Sequence, residues 1–379
     1  MPPIRTPAVA ATAGAGGRGH RVERRAVGIG PRPDLGRRAG RAAGCAQYGS
    51  RVESCTVFKR RSDANDAART EPNPSGPNDS PRLQFGYCIV DLVQVWMNVT
   101  IRLMHAEDIR TCLQLCRFSH WNQLEEDWRV FLDSWDGDGR VAEIEGIVIG
   151  TVTFLRYGGC FSWLSMMLVH PDSRRLGVGT LLMDAALDAL ASEPCVRLDA
   201  TPLGEPLYRR FGFSGEYELA RAKVTVPLGR FGSVPEGVLP MKAVDLADVF
   251  ARDRQVFGAD RSALLTSFYR RAPDLARTLY RGKTLIGYCF GRPGYLYRQL
   301  GPIVADDTTA ARELVAGCLA SQAGETLAVD VPRLAPEWTA WLESAGFTME
   351  RSFLRMYRGQ RQRPGFDARQ FVISGPEFG

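Results

Sequence analysis

Histidine is scarce in this chain of 379 residues, paired-cysteine spacing is absent, and no long apolar run occurs. There are four histidines and nine cysteines, and no cysteine pair has CxxC spacing. His120 follows Cys116 by one helical turn, but no second ligand pair stands elsewhere to complete a zinc site, so no metal is expected. An odd number of cysteines, with Cys160, Cys195 and Cys289 in apolar surroundings, reads as buried free thiols in a reducing cytoplasm. No segment reaches the ~18 apolar residues of a membrane helix. The nearest, Gly86 to Val99, is interrupted by Asp91, and the N-terminus lacks a secretory apolar region, so neither membrane insertion nor export is expected. Two phosphate motifs also fall short. A dinucleotide fingerprint beginning at Gly177-x-Gly179 lacks its third glycine, because Leu182 stands there; Gly282-Lys283-Thr284 lacks the first glycine of a P-loop, because Arg277 stands there.

What is present is concentrated between Trp163 and Leu190. Trp163 to Val169 is apolar and nearly unbroken, as a buried strand is; Pro171 and Asp172 end it. Two arginines and two glycines follow, and then Val178, Leu181, Leu182, Ala185 and Ala189 at helical spacing. A strand, a turn and a helix with glycines at its start make an anion site. The first amides of a helix lack partners within it, the helix dipole adds partial positive charge, and glycine lets a bulky anion approach the backbone. Arg174-x-x-Gly177-x-Gly179 is therefore a candidate pyrophosphate cradle, although a lone Gly-x-Gly is more often a simple turn.

Leu168-Val169-His170-Pro171 followed by this cradle resembles the acetyl-CoA-binding motif of the GNAT acetyltransferases, whose consensus is Gln/Arg-x-x-Gly-x-Gly/Ala after the fourth strand. A second motif stands at the right distance: Pro206-Leu-Tyr-Arg-Arg-Phe-Gly-Phe213 is similar to the family's Tyr-x-x-x-Gly-Phe ending. The resemblance implies an acetyl-CoA-dependent N-acetyltransferase acting on a small-molecule or protein amine. It implies that Leu168, Val169 and His170 offer backbone to the pantetheine arm and that Arg174, Arg175, Leu176, Gly177, Val178, Gly179 and Thr180 take the pyrophosphate. Tyr208 is then the general acid that returns a proton to the thiolate, since a phenol with a pKa of about 10 is protonated at neutral pH. A non-catalytic acyl-CoA-binding sensor is the alternative reading; replacing Tyr208 with Phe separates the two.

The remaining pattern is that of an α/β protein, a mixed twisted sheet flanked by helices, in two tandem domains. Strands and helices alternate from Val99 to Val226, Pro227 to Gly237 is a linker, and the alternation resumes to Tyr357. The expected division is a basic, disordered leader over 1–96, a GNAT domain over 97–227, a degenerate GNAT-like domain over 238–358, and a polar, frayed tail over 359–379. The second copy has no glycine between Asp307 and Leu314, and Leu342 stands before Gly346 where Tyr208 stands before Gly212. Residues 1–85 carry 15 Lys and Arg against 7 Asp and Glu, so the net charge of +6 belongs to the leader. Its composition cannot offset the entropy of ordering. A transit peptide, a nucleic-acid-binding arm and sequence read from an over-early start codon all fit; the last is preferred, because the stretch from Met97 to Asp108 looks like an ordinary GNAT beginning.

The general base stays open among Asp199, Glu216, Glu145 and a water chain ending on one of them. Asp199 and Thr201, after the fifth strand, are the first choices for touching substrate. Trp121, Asn122, Trp128 and Trp163 could line an acceptor pocket, although the spacing of Trp128 suits a core residue. Asp260, Arg261 and Arg298 either close that pocket from the second domain or form buried ion pairs. Neither the acceptor amine nor the oligomeric state follows from the sequence.

Overall fold

The computed structural model describes residues 98–133, 137–229, 231–361 and 367–379, which fall in one unit; the leader expected over 1–96 lies outside the described residues. The front half runs β1 (Thr100–Leu103), α1 (Ile109–Phe118), α2 (Glu125–Asp133), β2 (Gly137–Ile144), β3 (Ile147–Tyr157), β4 (Phe161–Val169), α3 (Val178–Ala189), β5 (Cys195–Ala200), α4 (Glu205–Arg210) and β6 (Ser214–Thr225). The back half runs β7 (Val238–Pro240), α5 (Leu246–Phe257), α6 (Ser262–Arg271), β8 (Arg277–Arg281), β9 (Thr284–Arg292), β10 (Arg298–Ala305), α7 (Thr308–Ala320), β11 (Thr326–Pro332), α8 (Pro336–Ser344), β12 (Thr348–Gly359) and β13 (Gln370–Val372).

Local sequence accounts for most of these elements. In α1 the buried residues Ile109, Cys112, Leu115 and Cys116 recur on one face of the helix. In α3 Val178, Leu182, Met183 and Ala186 do the same. β3 is rich in β-branched residues and buried along most of its length, as a strand covered on both faces must be. Five of the cysteines sit in these cores, Cys112, Cys116, Cys195, Cys289 and Cys318, and burial pushes the Cys116 thiol up to about 12.

The two halves share one sheet, and each gives the other its last long strand. The strand order is β1-β2-β3-β4-β5-β12-β6-β11-β10-β9-β8-β7, with β13 against β10. β12 pairs antiparallel with β5, Leu354 opposite Ala200 and Gly359 opposite Cys195. β6 pairs antiparallel with β11, Leu219 opposite Pro332 and Thr225 opposite Thr326. Packing follows the exchange. Met356 of β12 is buried with Val178, Leu182, Leu198 and Tyr208 of the front half, while Ala222 and Val224 of β6 are buried with Leu314, Leu327 and Trp338 of the back half. Neither half closes its sheet with its own chain.

Each half contains one parallel junction, β4 with β5 and β10 with β11. Only Ser162–Val196 and Trp163–Arg197 are paired at the first, so β4 and β5 part beyond Trp163. The second junction parts too, but the chain fills it. Val372 and Gln370 pair with Ile303 and Val304 of β10, and the Ile373 amide donates to the Asp330 carbonyl of β11 at 3.0 Å. The expectation of a frayed end therefore fails for residues 367–379. Trp338 Nε1 donates to the Phe371 carbonyl (3.1 Å), Trp163 Nε1 to the Pro376 carbonyl (2.8 Å) and the Tyr157 hydroxyl to the Phe378 carbonyl (2.8 Å). Phe378 is fully buried against Phe131 and Phe268. Composition misled because a few apolar residues spaced among polar ones suffice when preformed slots receive them.

Candidate active site

Where β4 leaves β5 a cleft of about 1400 Å³ opens. One wall is the second half of β4, Leu164 to Val169. Its pairing with β3 shifts register between Thr151 and Thr153, leaving an extra residue on β4, and Met166 takes a positive φ of 49°. For a non-glycine residue that conformation costs about 1–3 kcal/mol; the buried Thr151 hydroxyl, which donates to the Met166 carbonyl at 2.7 Å, helps hold it. The bulge and the divergence together leave the β5-facing edge of β4 without a strand partner, as an extended ligand requires.

At the end of β4 the chain enters α3 through the glycine turn. Gly177 is the N-cap, at φ 81°, and no side chain caps the helix; its carbonyl takes the amides of both Thr180 and Leu181. The preceding amides are thus left for an outside partner. A Cβ on Gly179 would stand 3.4 Å from Leu207 and 4.0 Å from Val169, both on the cleft wall, in ordinary contact. Leu168, Val169, Arg174, Arg175, Gly177, Gly179 and Thr180 line the cleft. Leu176 and Val178 instead pack into the core beneath it. His170 is not on the wall either. Its ring meets Phe118 edge-on at 4.9 Å, and its amide is taken by the Ile149 carbonyl. Arg210, which the sequence did not single out, reaches the cradle from the end of α4, with Nη2 3.5 Å from Thr180 Oγ1.

The back half offers no such place. The N-cap of α7 is Asp307, whose carboxylate accepts from the Ala310 amide at 2.8 Å. One free amide is satisfied and a negative charge stands where an anion would sit. The opening between β10 and β11 holds β13, and Leu342 is fully buried in the core.

Tyr208 lies on the cleft wall with its ring edge toward Phe213, and its hydroxyl has no hydrogen-bond partner among the described residues. Burial raises its pKa above the ordinary tyrosine value. Asp199 and Thr201 also line the cleft. Both Asp199 oxygens are engaged by Arg355 of β12, at 2.8 and 2.9 Å, and the carboxylate is fully buried. Burial pushes its pKa up against the opposing pull of Arg355. Thr201 Oγ1 accepts from the Gly204 amide at 3.3 Å. Of the other base candidates, Glu216 is buried against Arg197, and Glu145 occupies the β2–β3 turn; neither lines the cleft.

The part of the cleft away from the cradle is built largely by residues the sequence did not point to. Trp121 lines it, but Trp128 and Trp163 are core residues, and Asn122 clamps the back half, accepting from the Leu296 and Tyr297 amides and donating to the Tyr297 carbonyl. Asp260, Arg261 and Arg298 do not line the cleft. Arg261 forms a buried pair with Asp253, Asp260 an exposed one with Arg254, and Arg298 pairs with Asp274. Instead Arg221, Arg351, Phe353, Pro376 and Glu377 come to the cleft through the exchanged strands and the C-terminal segment. Glu377 bonds to Arg292 and accepts from Gln123 at 3.1 Å. No spacing rule links these residues; the strand exchange and the C-terminal segment bring them together. Among the described residues no helix is long and apolar enough to cross a membrane.

A sheet parted between parallel strands, above an uncapped helix start, defines a protein suited to an extended ligand with an anionic group along it. Two matches to the acetyltransferase (GNAT) domain, over residues 131–215 and 249–372, together cover more than half of the chain, which belongs to the GNAT family and is an acyltransferase. An N-acetyltransferase of Bacillus subtilis (strain 168), YitH, itself uncharacterized, is 23% identical over 231 residues, 60% of this chain and 80% of that protein. A holothin acyltransferase of Pseudoalteromonas sp. (strain SANK 73390) is 26% identical over 215 residues, 56% of this chain and 71% of that protein. A crystal structure from Pyrococcus horikoshii, assigned to the acetyltransferases, has a TM-score of 0.63 at 21% identity, over 80% of this chain and 99% of that one; at this identity it speaks for the fold.

Proposed function

We propose that the protein transfers an acetyl group from acetyl-CoA to a primary amine of a small molecule or a protein. The observation that carries this reading is the open cleft between β4 and β5, ending at an uncapped helix N-terminus in the front half, where the back half has the same features closed. Bound acetyl-CoA would supply the activated acyl group as a thioester. The edge of β4 at Leu168 and Val169 would hold its pantetheine arm by main-chain hydrogen bonds. The turn from Arg174 to Thr180 would hold its pyrophosphate, with charge from Arg174, Arg175 and Arg210. Backbone amides on β4 would face the developing charge on the carbonyl oxygen.

Tyr208, on the cleft wall, would donate its hydroxyl proton to the departing sulfur. Burial keeps it protonated at neutral pH, and its hydroxyl is not already committed to a neighbour. Asp199 serves the site by fixing β12 against β5 through Arg355, and Thr201 by shaping the turn into α4. The acceptor amine reacts in its free-base form, its proton passing to solvent.

The test is titration calorimetry of the full chain with coenzyme A, alongside thiol release from acetyl-CoA over a panel of amines. Gly177→Glu places a side chain on a left-handed residue and a carboxylate at the cradle, and is expected to abolish coenzyme A heat while leaving the fold intact by circular dichroism. No heat from coenzyme A with the parent, or unaltered binding in the variant, would sink the reading.

A further inference from the structure

Arg351 on β12 stands directly opposite Arg221 on β6. Directly opposed residues on antiparallel strands share a face, and like charges so placed repel. Both arginines line the cleft, and both guanidinium groups lie against the Phe353 ring, at 5.5 Å for Arg221 and 5.1 Å for Arg351. Their charges are handled differently. Arg221 is held by both oxygens of Asp330, at 2.8 and 2.7 Å, and donates to the Tyr297 hydroxyl at 2.6 Å. Arg351 has no hydrogen bond or ion pair among the described residues. Its neighbour Glu350 is taken by Lys223 at 2.7 Å. The other charges at this end are matched: Asp199 by Arg355, and Glu377 and Asp127 by Arg292 and Arg271. Burial, reinforced by Arg221, pushes the Arg351 guanidinium below its ordinary pKa, the mark of a cation lacking its counter-charge.

Position gives the charge its meaning. Leu354 pairs with Ala200, the last residue of β5, and β12 runs antiparallel to it. Arg351, three residues before Leu354, therefore lies about 10 Å past the end of β5. That is level with the turn from Thr201 to Gly204 that leads into α4 and Tyr208. The cradle arginines, Arg174 and Arg175, follow β4 instead. By strand order Arg351 stands on the β12 side of the cleft, across β5 from the cradle.

We propose that the acceptor carries an anionic group, a carboxylate or a phosphate, apart from its reacting amine, and that Arg351 binds this group. The back half then contributes to catalysis by lending β12, which brings the specificity residue into the front half's cleft. The proposal rests on the acetyl-transfer reading above.

The experiment is steady-state thiol release with the full chain and acetyl-CoA, over amines supplied in matched sets: amino acids, ω-amino acids and dipeptides, each beside its carboxamide, with aminoalkylphosphonates as the phosphate arm. The expected result is a kcat/KM for the anionic member about 10- to 100-fold above its carboxamide, as for a charge-assisted bidentate contact. The arm with the larger ratio separates carboxylate from phosphate. In Arg351→Gln the ratio collapses toward one, and in Arg351→Lys part of it returns, while calorimetry with coenzyme A is unchanged in both. Carboxamides accepted as well as their anionic partners by the parent would overturn the proposal. So would loss of coenzyme A affinity in Arg351→Gln, which would assign Arg351 to the donor. If coenzyme A binds but no member of the panel turns over, the anionic acceptor is refuted while the donor site stands; if coenzyme A does not bind, both readings fall together.

Discussion

Arg355→Met tests the strand exchange through the charge that β12 carries into the front half. Arg355 binds both oxygens of the fully buried Asp199 at 2.8 and 2.9 Å, donates to the Tyr217 hydroxyl at 2.7 Å, and lies 4.6 Å from the centre of the Trp163 ring. Methionine keeps much of the packing and removes the charge. A buried carboxylate left without its partner costs about 3–5 kcal/mol, a large share of the roughly 5–15 kcal/mol that separates folded from unfolded chains. With a urea slope of about 3 kcal/mol per molar, the midpoint falls by on the order of 1 M. The pH dependence has a definite sign. Burial already raises the Asp199 pKa, and loss of Arg355 removes the opposing pull. A carboxyl whose folded pKa exceeds its unfolded value of about 3.9 stabilises fully below that value and loses the contribution as pH rises through the folded pKa. The penalty in Arg355→Met therefore grows from pH 5 to pH 8. Adding Asp199→Leu should restore most of the loss, because a well-packed apolar pair replaces a buried ion pair at little net cost. Urea melts of the parent, both single variants and the double variant at the two pH values measure this. A single-variant cost under about 1 kcal/mol, a penalty that shrinks as pH rises, or strict additivity in the double variant would refute the reasoning.

Two further outcomes follow from the site and the C-terminal segment. Because burial holds the Tyr208 pKa above its ordinary value, acetyl transfer should keep its kcat up to about pH 10, the ordinary value. Tyr208→Phe should lower kcat by about 10²–10⁴-fold while coenzyme A affinity is retained; an alkaline limb near pH 8 that vanishes in the variant would contradict this. Phe378→Ala removes a fully buried ring that stacks on Phe131, and should destabilise the protein by about 3–5 kcal/mol. A urea midpoint within error of the parent would show that the segment is not part of the core.

The sequence by itself determined the local chemistry. A run of apolar residues, a proline, two arginines and two glycines can only be a strand ending in a tight turn before a helix. A helix start with glycine and no capping side chain leaves its amides open wherever it is placed. The second copy has no glycine after Asp307, and there the aspartate itself is the cap. The place of Tyr208 at the cleft was legible because its spacing from Gly212 belongs to one short helix and its exit. Tertiary structure alone decided which strands close which sheet and what stands at the acceptor end. β6 and β12 have the length and alternation of strands suited to either half, and no local pattern tells a strand which neighbour it will join. Once they exchange, Arg355 reaches Asp199, Arg351 reaches the cleft, and a carboxylate expected to touch substrate becomes half of a buried ion pair. The C-terminal segment follows the same rule. Its order comes from slots formed by residues more than thirty positions away, Trp338 on α8, Ile303 and Val304 on β10 and Trp163 on β4, and composition counted along the chain cannot register them.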